Sequence, residues 1–178
     1  MKLILIGIQG SGKSTQGNML ADKLNVPYLS TGHIFRELAK EKTPAGRFIK
    51  ETINAGYLVS DEKVLEIVSE YLSRSEYEKG YILDGFPRTV AQAEAFKNGI
   101  NKVIYLRVSD KEALWRISGR NDVREDETLP ALRKRIDLFH RFTEPVLEYY
   151  KEKGVLLEID GEQAIEKIFE EITAAIER

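Results

Sequence analysis

The chain has 178 residues, of which 42% are hydrophobic and 31% charged, with a net charge of −2 and no cysteine. This length fits one domain, and the charge argues against a broad nonspecific attraction to nucleic acid. Without cysteine there is neither a disulfide framework nor a thiolate metal site. The first apolar run is too short for a membrane span or a secretory signal. We therefore expect a cytoplasmic protein.

Short apolar runs alternate along the chain with segments of helical periodicity. Parallel buried strands are predicted at 3–6, 81–83, 103–106 and 155–159, with a weaker one at 27–29. Helices are predicted at 13–24, 61–73, 90–97, 111–118, 132–151 and 162–176. Asp61 and Asp110 stand where N-caps are expected. The alternation predicts an α/β domain in which helices cover both faces of a five-stranded parallel sheet.

The first strand leads into a glycine-rich loop. Gly7, Gly10, Gly12, Lys13 and Ser14 match the pattern G-x-x-x-x-G-K-[ST] in full. Glycines let backbone N–H groups turn toward a phosphate, and the following helix directs its positive end there. The lysine reaches the β- and γ-phosphates, and a hydroxyl can ligate Mg²⁺. An ordinary glycine-rich turn is the alternative, but the strand before and the helix after the motif favour a nucleoside triphosphate site.

Two segments do not follow the alternation of strands and helices. Residues 31–60 contain helical pieces but no convincing strand, so we expect an insertion beside the sheet. Residues 119–130 are strongly charged and poor in apolar side chains, which predicts an exposed, mobile loop. The core would then comprise 1–30, 61–118 and 131–178. Ligands of open parallel sheets bind at the carboxyl ends of the strands, and either segment could fold over that edge.

Asp84 ends the apolar strand predicted at 81–83. A carboxylate there is costly to bury unless a cation meets it, and this position suits a group that holds Mg²⁺ through water. A helix-capping aspartate is the alternative. Capping does not explain Gly85, Pro87 and Arg88, which follow directly.

Five short motifs occur along the chain: GKSTQ at 12–16, STGHIFR at 30–36, GYLVSDE at 56–62, DGFPRT at 84–89 with Gln92 and Ala93, and TEPV at 143–146. Together they resemble the adenylate kinase family of nucleoside monophosphate kinases, nearly end to end. The resemblance implies a P-loop type sheet domain with a small helical insertion at 31–60 that binds the monophosphate, and a short lid at 119–130.

The resemblance also implies a role for each matched residue. The ATP-binding residues would be Gly10, Ser11, Gly12, Lys13, Ser14, Thr15, Arg116 and Arg120. AMP would contact Thr31, Gly32, Arg36, Val59, Gly85, Arg88, Gln92, Arg124 and Arg135. Phosphoryl transfer would depend on Lys13, Asp84, Arg88, Arg120, Arg124 and Arg135. The Mg²⁺ ion would be held, through nucleotide and water, by Ser14, Thr15 and Asp84.

Specificity for the acceptor is implied by two of these residues. Gln92 would hydrogen-bond the adenine edge, since an amide offers both a donor and an acceptor. Pyrimidine-preferring relatives usually carry asparagine near that position and alanine in place of Thr31. Thr31 and Gln92 together therefore favour AMP, whose phosphate Arg36 and Arg88 would grip with forked guanidinium donors.

Four arginines follow one another at spacings of four, four and eleven residues: Arg116, Arg120, Arg124 and Arg135. In the family, two arginines four apart begin the lid and two eleven apart close it. Arg116 would stack on the ATP adenine and the other three would converge on phosphates. The alternative is that Arg116 and Arg120 line the exposed side of one helix and pair with carboxylates. Three residues between Arg120 and Arg124 leave no room for the zinc module of long-lid relatives.

Some positions depart from the family pattern. Gln9 replaces proline or alanine and is expected to loosen the loop. His33 replaces an aspartate beside the acceptor site and changes the local charge. Ser14 replaces glycine, which gives two adjacent hydroxyl groups, and either Ser14 or Thr15 could face Mg²⁺. Glu127 replaces the second of two aspartates that tie lid arginines in place.

The resemblance implies reversible transfer of the γ-phosphoryl group of Mg·ATP to AMP, giving two ADP. We expect a monomer with Mg²⁺ as its cofactor, no zinc, and neither nucleic acid nor membrane as a partner. Two alternatives stay open: a kinase for UMP, CMP or GMP, and a slow P-loop factor for nucleotide-dependent binding or assembly. The second would lack acceptor arginines, whereas Arg36 and Arg88 are both present.

Overall fold

The computed structural model describes residues 1–119 and 126–177. Five strands in this part of the chain form one parallel sheet, and the predicted fold class is confirmed. The strands are β1 (Lys2–Ile6), β2 (Tyr28–Ser30), β3 (Tyr81–Asp84), β4 (Lys102–Arg107) and β5 (Leu156–Asp160). Their order across the sheet is β2-β3-β1-β4-β5, so β1 and β3 are both interior strands.

Helices connect the strands and pack on both faces of the sheet. They are α1 (Lys13–Leu24), α2 (Thr31–Leu38), α3 (Pro44–Asn54), α4 (Asp61–Leu72), α5 (Val90–Ala95), α6 (Asp110–Ser118), α7 (Leu129–Leu138), α8 (Glu144–Glu152) and α9 (Ile165–Ile176). None of the helices in the described residues is long and apolar enough to cross a bilayer.

The central strand β1 is buried on both sides. Leu3 and Leu5 pack in a cluster with α1 and α9, whereas Ile4 and Ile6 pack on the other face with α2, α3, α4 and α8. Burial on two faces explains why this strand reads as an unbroken apolar run. The phosphate-loop motif therefore starts from a fixed strand end.

Residues 31–60, predicted to be an insertion, contain α2 and α3, which pack against each other. Their buried residues Ile34, Ile49 and Ile53 join the same core cluster as the sheet. Of the predicted loop at 119–130, the structure describes Gly119 and 126–130. Asp126 there is only 4% exposed, so the expectation of an exposed loop is wrong at this residue.

The predicted N-caps are wrong by one residue. Ser60 and Ser109 cap α4 and α6, and the Ser109 hydroxyl accepts a hydrogen bond from the backbone N–H of Glu112 at 3.4 Å. Asp61 and Asp110 are instead the first helical residues. A carboxylate in the first turn also interacts favourably with the positive end of the helix, so both positions suit aspartate.

The single helix predicted at 132–151 is interrupted. Phe139–Thr143 form a π-helical turn between α7 and α8, and the backbone N–H of Glu144 donates to the carbonyl of Phe139, five residues earlier. Pro145 lies in the first turn of α8. Proline has no N–H and its ring crowds the carbonyl four residues before it, which accounts for the local change of hydrogen-bond pattern.

Candidate active site

A cleft of about 200 Å³ opens at the carboxyl edge of the sheet. The loops after β1 and β3, the residues from β2 into α2, the α3–α4 connection and the start of the π-helical turn surround it. Of the predicted site residues, it is lined by Gly10, Gly12, Lys13, Ser14, Thr15, Gly32, Arg36, Val59, Asp84, Gly85, Arg88, Gln92 and Arg135.

The loop after β1 curls around the Lys13 ammonium group. Its Nζ donates to the carbonyl oxygens of Gly7 at 2.7 Å and Ile8 at 2.9 Å. Gly10 and Gly12 have φ of +90° and +91°, which favour glycine, and a Cβ at Gly10 would lie 2.6 Å from the Ala113 carbonyl. The loop therefore needs both glycines to bring the lysine and the start of α1 to one point.

Asp84 is buried at the end of β3 with its two carboxylate oxygens in different surroundings. The Tyr28 hydroxyl donates to Oδ2 at 2.6 Å, and burial together with the Asp84 charge raises the pKa of Tyr28, so the phenol stays a donor. Oδ1 has no hydrogen-bond partner within the described part of the chain. A buried carboxylate oxygen without a donor fits Mg²⁺ or its water, and the Ser14 and Thr15 hydroxyls stand on the same cleft.

The Arg88 guanidinium is fixed at the floor of the cleft. Its Nε donates to the Gly85 carbonyl at 2.8 Å, while its backbone N–H donates to Gln92 Oε1 at 2.7 Å. Burial lowers the pKa of Arg88 to about 10, and the neighbouring charges of Arg135 and Arg36 act in the same direction, opposed by Asp84. The group stays cationic at neutral pH.

Arg135 reaches the cleft from α7. Its Nη2 donates to Asp126 Oδ2 and to the Ile53 carbonyl, each at 2.8 Å. Asp126 Oδ2 also lies 4.0 Å from Nη1 of Arg36. Within the described part of the chain, three guanidinium groups thus line one cleft, and Asp126 lies between two of them. Forked guanidinium donors suit phosphate oxygens, so the cleft could bind a phosphate group.

Gln92 is almost fully buried, and its amide is already engaged. Nε2 donates to Asp61 Oδ1 at 2.7 Å, and the Thr89 hydroxyl donates to the same oxygen at 3.0 Å. Because an amide has two N–H groups and two lone pairs, each end can take one further hydrogen bond, as adenine recognition requires.

Some of the predicted residues do not line the cleft in the part of the chain that the structure describes. Ser11 and Thr31 are buried behind it, and the Thr31 hydroxyl donates to the Asp84 carbonyl at 3.1 Å. Arg116 Nε donates to Glu112 Oε1 at 2.7 Å on α6, which matches the alternative of an ion pair along the helix. Arg120 and Arg124 lie outside the described residues.

The sequence pattern did not identify several residues that the structure brings to the site. No signal pointed to Tyr28, whose hydroxyl meets a residue 56 positions away. An apolar wall was likewise missed, formed by Phe35, Ile53, Tyr57, Leu58, Leu138 and Phe139. Gln9 also lines the cleft, and its departure from the family pattern was the signal that could have found it.

Comparison with known proteins gives concordant matches. A family model described as adenylate kinase matches residues 5–155. The chain is similar to adenylate kinase of Caldicellulosiruptor bescii, 36% identical over 212 aligned positions that cover 99% of each chain. It is also similar to the adenylate kinases of Methanocella arvoryzae, at 36% identity, and Clostridium botulinum strain 657, at 35%, each covering 100% of this chain and 99% of the relative.

Proposed function

The chain belongs to the adenylate kinase family, and from this premise we propose that it transfers the γ-phosphoryl group of Mg·ATP to AMP, reversibly, giving two ADP. Membership makes it a nucleoside monophosphate kinase, a phosphotransferase. The observation that carries the proposal is the placement of Lys13 and three guanidinium groups, those of Arg36, Arg88 and Arg135, on one cleft.

The proposed division of labour follows from where these cations lie. Lys13 and the backbone N–H groups of the loop after β1 would hold the β- and γ-phosphates of ATP, with the start of α1 directed at them. Arg36 and Arg88 would hold the AMP phosphate across the cleft. Because charge spreads over the oxygens of the transferring group, the protein acts by positioning both nucleotides and neutralising that charge.

Magnesium would be held, through nucleotide and water, by Asp84 and by the hydroxyl of Ser14 or Thr15. When bound, the ion neutralises charge on the β- and γ-phosphates. The hydrogen bond from Tyr28 to Oδ2 leaves the other oxygen of Asp84 available for this role.

We further propose that the insertion at 31–60 and the lid at 119–130 close over the two nucleotides, with Arg120 and Arg124 joining the phosphates. Closure matters because water competes as a phosphoryl acceptor. The alignment with the Caldicellulosiruptor bescii relative spans 212 positions, at least 34 more than the 178 residues present here, and a short lid would account for such a difference.

A coupled assay with ATP and a panel of monophosphates, with and without Mg²⁺, tests this function. We expect AMP to give the highest kcat/KM and activity to depend on Mg²⁺. A kcat/KM for UMP, CMP or GMP a hundred times that for AMP would show that AMP is not the preferred acceptor. Slow ATP hydrolysis with no transfer to any monophosphate would instead indicate a nucleotide-dependent binding or assembly factor.

We also propose that the protein is a cytoplasmic monomer. The absence of cysteine is compatible with a reducing interior. Light scattering after gel filtration should give the chain mass of 20.3 kDa. A mass of twice or three times that value would contradict the monomer, and recovery in an exported fraction of the source cells would contradict the location.

A further inference from the structure

Two departures from the family pattern, distant in sequence, contact each other in the folded chain. Gln9 follows β1 and Glu127 precedes α7, 118 residues later. The Gln9 Nε2 donates to Glu127 Oε1 at 2.6 Å, while its Oε1 accepts from Arg135 Nη1 at 2.8 Å. Both ends of the Gln9 side chain are therefore bonded, which argues against the expectation that Gln9 loosens the loop.

The chemistry of the three groups explains why a glutamine stands here. A guanidinium only donates hydrogen bonds and a carboxylate only accepts them, so a bridge between Arg135 and Glu127 needs an acceptor at one end and a donor at the other. A carboxamide supplies both, and its two neighbours fix which end faces which. Proline or alanine at position 9 supplies neither, and an aspartate at position 127 would be one methylene shorter.

The contact between Gln9 and Arg135 lies at the cleft that Lys13 also lines. Arg135 is bonded at once to the loop that precedes Lys13, to the Ile53 carbonyl at the end of α3, and to Asp126. Its side chain is only 14% exposed. The guanidinium is thus placed relative to the phosphate loop by a direct bond as well as through the fold.

We propose that Gln9 is a positioning residue: bridging Glu127 and Arg135, it holds the Arg135 guanidinium against the phosphate loop before the nucleotides bind. The inference rests on the proposed phosphoryl transfer for its kinetic consequence. Preorganised charge needs no rearrangement as the transition state forms, so loss of the bridge lowers the rate of the chemical step.

Gln9→Met tests the proposal, since methionine fills a similar volume without either hydrogen bond. We expect the single-turnover rate of transfer from ATP to AMP to fall about tenfold, while the ATP dissociation constant, measured by calorimetry, changes less than twofold. Gln163→Met is the matched control because Gln163 Nε2 donates to the Asp160 carbonyl and to Glu171 away from the cleft, so its loss should leave the rate unchanged. Glu127→Ala should lower the rate, with no further loss when combined with Gln9→Met.

The route through Arg135 is tested by a double-mutant cycle. In an Arg135→Lys background, Gln9→Met should lower the transfer rate less than twofold, because the guanidinium that Gln9 would hold in place is already absent. An equal tenfold loss in that background, an unchanged rate in Gln9→Met alone, or loss of ATP affinity together with a lowered Tm would each overturn the proposal. The last result would assign Gln9 to the folding of the loop.

A readout without catalysis separates this proposal from the proposed function. In the nucleotide-free protein, the ¹⁵N signals of the Arg135 guanidinium should be resolved and slowly exchanging, and Gln9→Met should shift them and speed their exchange. Unchanged Arg135 signals in Gln9→Met overturn the bridge. Absence of transfer to AMP by the unmodified protein, with these signals responding as expected, would overturn the proposed function and leave the bridge in place.

Discussion

Arg88 shows how one guanidinium is fixed before any substrate binds. Gly85, directly after β3, has φ of +80°, and a Cβ there would lie 2.6 Å from the Thr31 hydroxyl and 3.2 Å from Nη2 of Arg88. The close approach allows the Gly85 carbonyl to accept from Arg88 Nε. The Thr143 hydroxyl in turn donates to the Arg88 carbonyl at 3.0 Å. The side chain is therefore directed by its own motif, and the Arg88 backbone is held by a residue 55 positions later.

Arg88→Ala should lower kcat/KM for AMP at least tenfold, about 1.4 kcal/mol of transition-state stabilisation, because the acceptor phosphate loses a forked donor. Arg88→Lys keeps the charge but not the forked pair of donors, so its kcat/KM for AMP should lie between the values for Arg88→Ala and the unmodified protein. Arg74→Ala is the control, since Arg74 pairs with Glu70 on the exposed side of α4. Activity of Arg88→Ala close to that of the control would contradict the acceptor assignment.

At the scale of elements, α1 is held close to β2 by a glycine. An ideal Cβ at Gly17 would lie 2.3 Å from Cε2 of Tyr28 and 3.0 Å from the Leu5 side chain. The Tyr28 ring cannot simply move aside, because its hydroxyl is bonded to Asp84. The packing of helix on strand is thus coupled to the orientation of the carboxylate at the site.

Gly17→Ala should lower the free energy of unfolding by about 1 kcal/mol, since overpacking of roughly 1–3 kcal/mol outweighs the gain of up to about 1 kcal/mol in helix propensity. For a chain of this length we expect Tm to fall by about 2–4 °C. Gly119→Ala is the control, because φ is −88° there and the nearest atom to a Cβ is 3.8 Å away. A Gly17→Ala variant as stable as that control would show that the ring relaxes.

His140 joins three elements through its two ring nitrogens. Nδ1 lies 2.6 Å from Glu144 Oε1 at the start of α8, and Nε2 lies 2.9 Å from Asp110 Oδ1 at the start of α6. Hydrogen bonding to Glu144, and then to Asp110, raises the pKa of His140. Because the folded pKa is raised, the stability from this group is complete below its unfolded pKa and is lost as pH rises through the folded value.

His140→Gln should therefore be less stable than the unmodified protein at pH 6, and the difference should shrink as the pH rises through the folded pKa of His140. The His140 side chain is 44% exposed, so solvent screening limits the difference to about 0.5 kcal/mol, or roughly 1–2 °C in Tm. Arg74→Gln, which removes an exposed pair without a titrating ring, should show a difference independent of pH over this range. Melting curves at several pH values provide the measurement, and a His140→Gln difference in stability that grows with pH would contradict this prediction.

At the scale of the whole molecule, parallel strands bring distant segments to one edge. The ends of β1, β2 and β3, the helices of the insertion and the start of the π-helical turn all reach the cleft. A ligand that bonds to several of these segments must stabilise the folded state, since the unfolded chain presents no such site.

We expect Mg·ATP at 100 times its dissociation constant to add about 2.7 kcal/mol to the free energy of unfolding, raising Tm by roughly 5–10 °C. Lys13→Met should abolish most of this shift at the same ATP concentration, because the ammonium reaches the β- and γ-phosphates. Thermal denaturation with and without nucleotide provides the measurement. An equal shift in Lys13→Met would show that ATP binds elsewhere.

Residue patterns were enough to predict most helices and strands and the chemical character of the site. Apolar runs predicted the interior strands β1, β3 and β4 because these strands are buried on both faces, and shorter or more mixed runs predicted the edge strands β2 and β5. The phosphate loop could be identified from Gly10, Gly12 and Lys13 because the φ values and the cation needed there restrict the residue types. Local pattern also located Asp84 at a strand end. It placed helix boundaries less well, since a serine precedes each aspartate and the N-cap positions are Ser60 and Ser109, of which Ser109 makes a side-chain capping bond.

Which side chains contact one another at the site depends on the folded arrangement of the strands and helices. The bond from Tyr28 to Asp84, the burial of Asp126 beneath Arg135, and the bridge of Gln9 between Arg135 and Glu127 join residues that no periodicity relates. A sequence pattern reports what each residue can do with its near neighbours, whereas hydrogen bonds across the cleft depend on the order of strands and on how closely helices approach the sheet. Those distances decide whether a polar side chain near the cleft becomes part of the site.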